Sequence, residues 1–149
     1  YQRRVRGMFY AQQQTIVIAG KKQGCYLITS EILKHISDNI SQVKIGTVNL
    51  FLQHCSASIS LNENADPDVR SDMKEILNTL VPPSEQYSHN GEGSDDMPAH
   101  ALSQLCGCSQ TIPINNGRLM LGTWQGIWLN EHRKFGGDRK IVVTIMGTK

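Results

Sequence analysis

Hydrophobic and polar residues alternate with a period of two in several segments of the chain, which is the pattern of a β-strand with one buried face. In "GTVNLFLQH" three apolar residues fall on one face, and His54 has the same parity. Asn116-Gly117 stands between two alternating arms, the strongest short signal for a hairpin. Strands are therefore predicted in "FYAQQQTIVIAG", "GTVNLFLQH", both arms of "TIPINNGRLML", "GTWQGIWLNEHR" and "RKIVVTIMG".

A period of 3.6 residues predicts three helices. The clearest one has Asp66 at its N-cap and Pro67 at its first position, where the missing N–H of proline costs nothing, and it ends before Pro82 and Pro83. The other two are "TSEILKHISDNI", with Thr29 or Ser30 as its cap, and a short helix from near Pro98 to Gly107.

The order of these elements favours an α+β fold. About six or seven strands stand against three helices, and the helices do not alternate strictly with the strands, as they would in a doubly wound fold. A chain of 149 residues suits one domain with its own core, so residues 1–149 are predicted to form a single domain. Residues 1–8, which include three arginines, are predicted to be an N-terminal arm or the remnant of a targeting segment.

Composition excludes several partners. The net charge is +2, with 15 basic and 13 acidic residues, a balance that argues against nucleic acid or a membrane surface as the main partner. No segment has the roughly 18 consecutive apolar residues of a spanning helix. The four cysteines form no C-x-x-C pair, so the sequence predicts free thiols in a reducing, cytoplasmic environment.

The stretch "HNGEGSDDMPAH" brackets three acidic residues with His89 and His100. Two interpretations are open. The stretch is a loop that binds a metal or carries catalytic residues, or it is a solvent-exposed connection between two elements. Together with His54, the two histidines match the three-histidine set of a catalytic metal centre that keeps one position open. Asp95 or Asp96 is expected to cap the following helix, and the other to orient a ligand histidine. A divalent metal, zinc or magnesium, is therefore predicted, with His54, His89, His100 and Asp95 as its ligands.

The segment "GRLMLGTWQGIWLNEHR" is the second candidate. By strand parity Glu131 and Arg133 share a face, which indicates either an ion pair or a phosphate site with Glu131 as base. Trp124 either stacks on a ligand ring or is buried in the core. Nearby glycines allow close approach of a ligand or another backbone.

Four motifs together resemble the YjbQ family: "HCSASISLNENADPDVR", "DDMPAH", "TIPINNGRLMLGTWQGIWLNEHR" and "VVTIMG". The resemblance runs from about residue 10 to the end of the chain. It implies an α+β fold with a β-sandwich-like core, and a homotrimer. It also implies a secondary thiamine-phosphate synthase, which joins a pyrimidine pyrophosphate to a thiazole phosphate and releases pyrophosphate. The residues that it carries over are His54, Asn64, Asp95, His100, Gly122, Trp124, Gln125, Glu131 and Arg133, with His89 at a position often occupied by histidine.

Two functions follow from this sequence. In the first, the protein is a transferase with His100, Glu131 and Arg133 as catalytic residues. In the second, it is a non-catalytic trimer that binds a metal, an anion or a small phosphorylated metabolite. The residues expected to contact the substrate are Asn64, Arg118, Gly122, Trp124 and Gln125.

Overall fold

The computed structural model describes residues 7–149, within which the chain forms eight strands and three helices. The strands are β1 (Phe9–Ile18), β2 (Gly24–Leu27), β3 (Ile45–Leu52), β4 (Ala57–Glu63), β5 (Ser109–Asn115), β6 (Arg118–Leu119), β7 (Gln125–Glu131) and β8 (Arg139–Thr148). The helices are α1 (Thr29–Ile40), α2 (Pro67–Leu80) and α3 (Asp96–Cys106).

The strands make two antiparallel sheets. The larger has the order β1-β8-β3-β5-β6 and the smaller the order β2-β7-β4. This arrangement confirms the predicted α+β class, with eight strands instead of six or seven.

The sequence patterns missed β2 and β4. The four residues of β2 are too few to show a period. In β4 the apolar residues alternate with Ser58, Ser60 and Asn62, so the segment lacks the continuous apolar run of a buried strand. Ser58 is buried, because α3 packs against β4.

The core lies between the inner faces of the two sheets and is completed by α1. Ile32, Ile36 and Ile40 of this helix are buried in the same cluster as the inward residues of both sheets. Helix α2 packs against β2 and α3 against β4, so these helices cover the outer face of the smaller sheet. The outer face of the larger sheet has no helix packed against it among the described elements.

The predicted ends of α2 are confirmed. Asp66 is its N-cap and accepts a hydrogen bond from the backbone of Asp68, and Pro67 is its first residue. The predicted cap of α1 was wrong, because its N-cap is Ile28 and no side chain caps it. The hydroxyl of Thr29 instead accepts a hydrogen bond from the backbone N–H of Ile127, 2.8 Å away, and so joins the helix to β7.

The hairpin around Asn116-Gly117 is also confirmed. Both residues have positive φ, 47° and 76°, as a type I′ turn requires. Its second arm is short, since β6 has two residues.

Three further expectations concern the whole chain. No helix within residues 7–149 is long and apolar enough to cross a membrane. The four cysteines are free thiols. Residues 1–6 of the predicted N-terminal arm, with their three arginines, lie outside the described residues.

Candidate functional site

Helix α3 begins two residues earlier than the sequence predicted, at Asp96. Asp95 occupies the N-cap position, but its side chain makes no capping hydrogen bond, so the predicted cap is wrong. His100 consequently lies in the second turn of the helix. The earlier start places Asp96 and His100 four residues apart, on the same face of the helix.

Asp96 and two histidines form a compact cluster, which we call the His-Asp-His cluster: His89, Asp96 and His100. One carboxylate oxygen of Asp96, Oδ2, lies 2.7 Å from His89 Nε2 and 3.4 Å from His100 Nε2. One donor atom from each residue lies within 4.8 Å of the others. The Asp96 side chain is 2% exposed and that of His89 is 53% exposed, so the cluster opens to solvent on one side.

The hydrogen bonds of His100 leave one contact electrostatically unsatisfied. Its Nδ1 lies 2.8 Å from the backbone carbonyl of Cys55, which can only accept, so Nδ1 carries a hydrogen. In neutral His100 the other nitrogen, Nε2, is then a lone pair facing the Asp96 carboxylate. Either a proton on Nε2 or a cation between the two groups satisfies this contact.

Arg133 holds both aspartates in place. Its Nε donates to Asp95 Oδ2 at 3.1 Å, its Nη1 donates to Asp96 Oδ1 at 2.6 Å, and its Nη2 donates to the Glu92 carbonyl at 2.9 Å. The backbone N–H of Lys134 also donates to Asp95. The Arg133 guanidinium thus fixes the orientation of the Asp96 carboxylate, and all three of its nitrogens donate hydrogen bonds.

These contacts keep both aspartates ionised. Burial by itself would raise the pKa of Asp95, but hydrogen bonds from Lys134 and Arg133 outweigh it and lower the pKa. Burial would likewise raise the pKa of Asp96, and the hydrogen bond from His89 and the charge of Arg133 lower it overall. A charged Asp96 is the form that binds a cation.

The predicted pairing of Glu131 with Arg133 was wrong. Arg133 lies beyond the end of β7, where strand parity no longer applies. Glu131 instead pairs with Arg139, the first residue of β8, through contacts of 2.6 and 2.7 Å. Both residues are buried, and Glu131 also accepts from the backbone N–H of Arg133. This pair links the two sheets at the end nearest the cluster.

His54 and Asp95 do not belong to the His-Asp-His cluster. His54 Nε2 accepts a hydrogen bond from the backbone N–H of Lys140 at 2.7 Å, which occupies one of the two nitrogens that could bind a metal. Asp95 is turned toward Arg133 and Lys134. The acid that joins the histidines is its neighbour Asp96.

Three of the expected substrate-binding residues, Gly122, Trp124 and Gln125, lie in one segment, and a fourth, Asn64, is hydrogen-bonded to it. Asn64 Nδ2 donates to the carbonyls of Thr123 and Gln125, and Gln125 Oε1 accepts from the backbone of Gly122. Trp124 is 67% exposed at the tip, so it is not a core tryptophan. We call residues 120–125 the Trp124 loop.

The Trp124 loop and the cluster lie at opposite ends of the smaller sheet. Cys55, which contacts His100, precedes β4, whereas Asn64 follows it. The seven residues of β4 separate its ends by about 20 Å. A ligand shorter than this distance therefore cannot contact both groups of one chain.

Arg118 lies in neither group. It begins β6, at an edge of the larger sheet, and borders a depression with Leu33, Ser37 and Ile40 of α1.

A second polar network is buried under α3. His132 Nε2 lies 2.9 Å from Ser58 Oγ, and Asn130 donates to Ser58 and Ser60. Burial, and then the charge of Arg139, lower the pKa of His132 to about 4, so this histidine is neutral in the folded protein at neutral pH. The network places hydrogen-bonded polar side chains on the outer face of the smaller sheet, although the Asn130 amide oxygen is buried without a hydrogen-bond partner.

The sequence patterns did not identify Asp96 as the acid that lies between the two histidines, or Arg139 as the partner of Glu131. Asp96 had a local signal, because an acid four residues before a histidine shares its helical face, but the predicted start at Pro98 left Asp96 outside the helix. Arg139 had none, since nothing in the chain between Glu131 and Arg139 indicates how the connection folds back.

Comparison with known proteins identifies the chain's family. The family model described as "UPF0047 protein YjbQ-like" matches residues 14–148. The chain belongs to the YjbQ/UPF0047 family. The UPF0047 protein YjbQ of Escherichia coli O157:H7 is 47% identical over 135 residues, which cover 91% of this chain and 97% of the relative. A UPF0047 protein of Synechocystis is 43% identical over 140 residues, 93% of this chain and 94% of the relative.

Solved structures of the YjbQ/UPF0047 family have the same fold. A protein of Sulfolobus solfataricus, described as YbjQ-like and of unknown function, matches with a TM-score of 0.83 at 25% identity and covers 94% of this chain and 99% of its own. An uncharacterised YjbQ/UPF0047 protein of Clostridium acetobutylicum matches with a TM-score of 0.69 at 37% identity, over 93% of this chain and 98% of its own.

Proposed function

We propose that this protein, as a single YjbQ-like domain, binds a divalent metal ion through His89, Asp96 and His100. The observation that carries the proposal is the contact between His100 Nε2 and the Asp96 carboxylate, in which neutral His100 presents a lone pair to a negative charge. A metal ion held between these atoms would turn that repulsion into two bonds. The carbonyl of Cys55 and the guanidinium of Arg133 supply the outer hydrogen bonds that orient metal ligands.

The donor set fits zinc better than magnesium. Two imidazole nitrogens and one carboxylate are ligands of zinc and other first-row transition metals, whereas magnesium prefers oxygen ligands and keeps several waters. Three protein ligands and the exposed side of His89 leave room for a fourth ligand from solution. When bound, such a metal would supply a Lewis acid for an oxygen of that ligand.

We infer that the fourth ligand is a small phosphorylated metabolite. Thiamine-phosphate synthesis, implied by the family resemblance, is the first reaction to test. A carbon–nitrogen bond forms there between the pyrimidine methylene and the thiazole nitrogen as the bond to pyrophosphate breaks. In this fold Arg133 is engaged by Asp95, Asp96 and Glu92, so its proposed role is to position Asp96 and not to bind pyrophosphate.

A specific observation favours the non-catalytic alternative. Glu131, the expected base, is paired with Arg139 through both carboxylate oxygens. Two of the three expected catalytic residues, Glu131 and Arg133, therefore have structural partners, and His100 is the one that faces a site. A trimer that binds and delivers a phosphorylated metabolite would need only the metal site and its surroundings.

The trimer itself has support in the outer face of the larger sheet. Four residues from each of β1, β8, β3 and β5 form a block without a charged residue. Its exposed members include Phe9 and Ile45, which are 69% and 55% exposed. An uncharged, partly apolar face of this extent is typical of the centre of a subunit interface. The sixteen residues are Phe9, Ala11, Gln13, Thr15, Val142, Thr144, Met146, Thr148, Ile45, Thr47, Asn49, Phe51, Ser109, Thr111, Pro113 and Asn115.

Zinc binding tests the proposed function directly. We expect one zinc per chain by elemental analysis, and a melting temperature that rises with zinc but not with magnesium. His89→Ala and His100→Ala should each weaken zinc binding by at least about a hundredfold, more than the loss of a group that only orients a ligand. His35→Ala is the matched control, because His35 is exposed on α1.

One outcome would refute the metal site, and another would distinguish the enzyme from the delivery protein. Wild-type protein that takes up no zinc, or histidine variants that bind zinc as tightly as wild type, would refute the metal site. Zinc-loaded wild type that forms no thiamine phosphate from the two precursors, yet binds either one, would favour the delivery protein over the enzyme.

A further inference from the structure

The histidine that the metal cluster leaves out has a fixed tautomer. His54 follows β3, and its Nε2 lies 2.7 Å from the backbone nitrogen of Lys140. A backbone N–H can only donate, so Nε2 is the acceptor and carries no hydrogen. The hydrogen of neutral His54 is therefore on Nδ1. His54 is a hydrogen-bond donor through Nδ1–H.

The surroundings of His54 keep it neutral. Burial lowers its pKa, and the positive charges of Arg139 and Lys140 lower it further, while Glu131 acts in the opposite direction. Protonation would also require Nε2 to give up the bond from Lys140. The donor thus does not depend on acid conditions.

His54 and His100 border the same depression on the surface. Cys55, Ser103, Gln104 and Cys108 line the space between them. No carboxylate is among the described residues that line it. The depression is therefore bordered by His54, whose hydrogen is on Nδ1, and by His100 of the His-Asp-His cluster.

We propose that this depression binds the phosphoryl group of the ligand, and that His54 donates its Nδ1–H to a phosphoryl oxygen. This inference rests on the proposed metal site, since His100 borders the depression and also belongs to the His-Asp-His cluster. It also replaces the expected role of His54 as a metal ligand, because Nε2 is occupied by Lys140.

Phosphate suits the depression for two reasons. A phosphoryl group offers several acceptor oxygens, so one can meet an N–H donor while another meets a cation. The positive charges of Arg139 and Lys140 are close enough to His54 to lower its pKa, and no lining carboxylate opposes an anion.

The test uses His54→Gln. Glutamine can place its amide oxygen where Nε2 stands and accept the N–H of Lys140, but it has no donor at the Nδ1 position. We expect His54→Gln to keep the fold and the zinc content of wild type and to bind inorganic phosphate at least about tenfold more weakly, the effect of one charge-assisted hydrogen bond. His35→Gln on α1 is the control and should bind phosphate as wild type does.

Two further measurements test whether weaker phosphate binding in His54→Gln is due to the lost Nδ1–H donor. Nitrogen NMR of the imidazoles should show His54 protonated at Nδ1 and not at Nε2, with the Nδ1 signal shifting when phosphate is added. Calorimetric titrations with phosphate and with acetate are made on zinc-loaded and on metal-free protein. Phosphate should bind more tightly than acetate in both.

The outcomes are distinguishable from failure of the metal site. If wild type takes up no zinc, the metal proposal fails, and His54 is still tested by the titrations of metal-free protein. The His54 proposal is overturned if His54→Gln binds phosphate like wild type, if His54→Gln loses zinc, if wild type binds no phosphate, or if acetate binds as well as phosphate.

Discussion

Hydrogen-bond partners, more than position in the chain, separate the roles of the histidines. His89 and His100 face the carboxylate of Asp96, His54 accepts a backbone N–H, and His132 is buried beside Ser58. A carboxylate favours a cation nearby, whereas a backbone donor favours a neutral ring. The same side chain is thus a candidate metal ligand in one place and a neutral hydrogen-bonding group in another.

His132 should make stability depend on pH. Its pKa is about 4 in the folded protein, against an ordinary value near 6.5. Between these values the unfolded chain binds a proton that the folded protein does not, so the free energy of unfolding falls as the pH is lowered through this window. The contribution is about 3 kcal/mol across it.

The check is urea unfolding at pH 7 and at pH 4.5 for wild type, His132→Gln and the exposed control His35→Gln. We expect the loss of stability on acidification to be smaller in His132→Gln than in the other two. Equal losses in all three would show that His132 is not the group responsible.

Arg133 is predicted to tune the metal site through its fork of three nitrogens. Arg133→Lys keeps the charge but cannot bond Asp95, Asp96 and the Glu92 carbonyl together. We expect zinc affinity to fall by about tenfold, as for other residues that orient metal ligands. Competition with a chromogenic chelator measures this, with Arg118→Lys as the control at an exposed position. If Arg133→Lys binds zinc as tightly as wild type, Arg133 does not orient the metal ligands.

At the scale of elements, the connection from β7 to β8 joins the buried ion pair to the cluster. Glu131 ends β7, Arg139 begins β8, and Arg133 lies between them. Gly136 in this connection passes directly over the pair. An added Cβ there would lie 2.5 and 2.6 Å from the two carboxylate oxygens of Glu131 and would also clash with the Arg139 guanidinium.

Gly136→Ala should therefore disturb the Glu131–Arg139 pair. We expect a loss of about 2–4 kcal/mol in the free energy of unfolding, since a buried pair forced apart leaves charges uncompensated. Gly91→Ala is the control, because a Cβ at Gly91 meets no atom within 4 Å, and its effect should stay within about 0.5 kcal/mol. Similar unfolding midpoints for the two variants would contradict this account of the connection.

At the scale of the whole molecule, the uncharged outer face of the larger sheet is the predicted trimer interface. Thr144 lies in the middle of this face, between Gln13 on β1 and Asn49 on β3. Thr144→Glu would place a charge at the centre of the buried contact, where burying an unpaired charge is costly.

Sedimentation should report a trimer for wild type and dissociation for Thr144→Glu. Ser71→Glu, on the exposed surface of α2, is the matched control and should remain a trimer. A monomeric wild type would refute the trimer, and a Thr144→Glu trimer as stable as wild type would place the interface elsewhere.

The sequence by itself determined the features that depend on near neighbours. The caps and ends of α2, the Asn116-Gly117 turn and most strands follow from residues within a few positions of one another. The family followed from long ordered motifs. The loop with His89 and His100 is a candidate site from sequence because both histidines and the acids lie within twelve residues, and the structure brings the two histidines and Asp96 together.

Only the tertiary structure decided which groups meet. Arg133 reaches Asp96 across 37 positions of the chain, and His100 reaches the Cys55 carbonyl across 45. It also placed the Trp124 loop and the His-Asp-His cluster at opposite ends of the smaller sheet, although their motifs follow one another along the same strands. Local patterns specify how each strand and helix forms. Contacts between distant segments depend on how the two sheets pack and where their connections turn, and no short stretch of sequence contains that information.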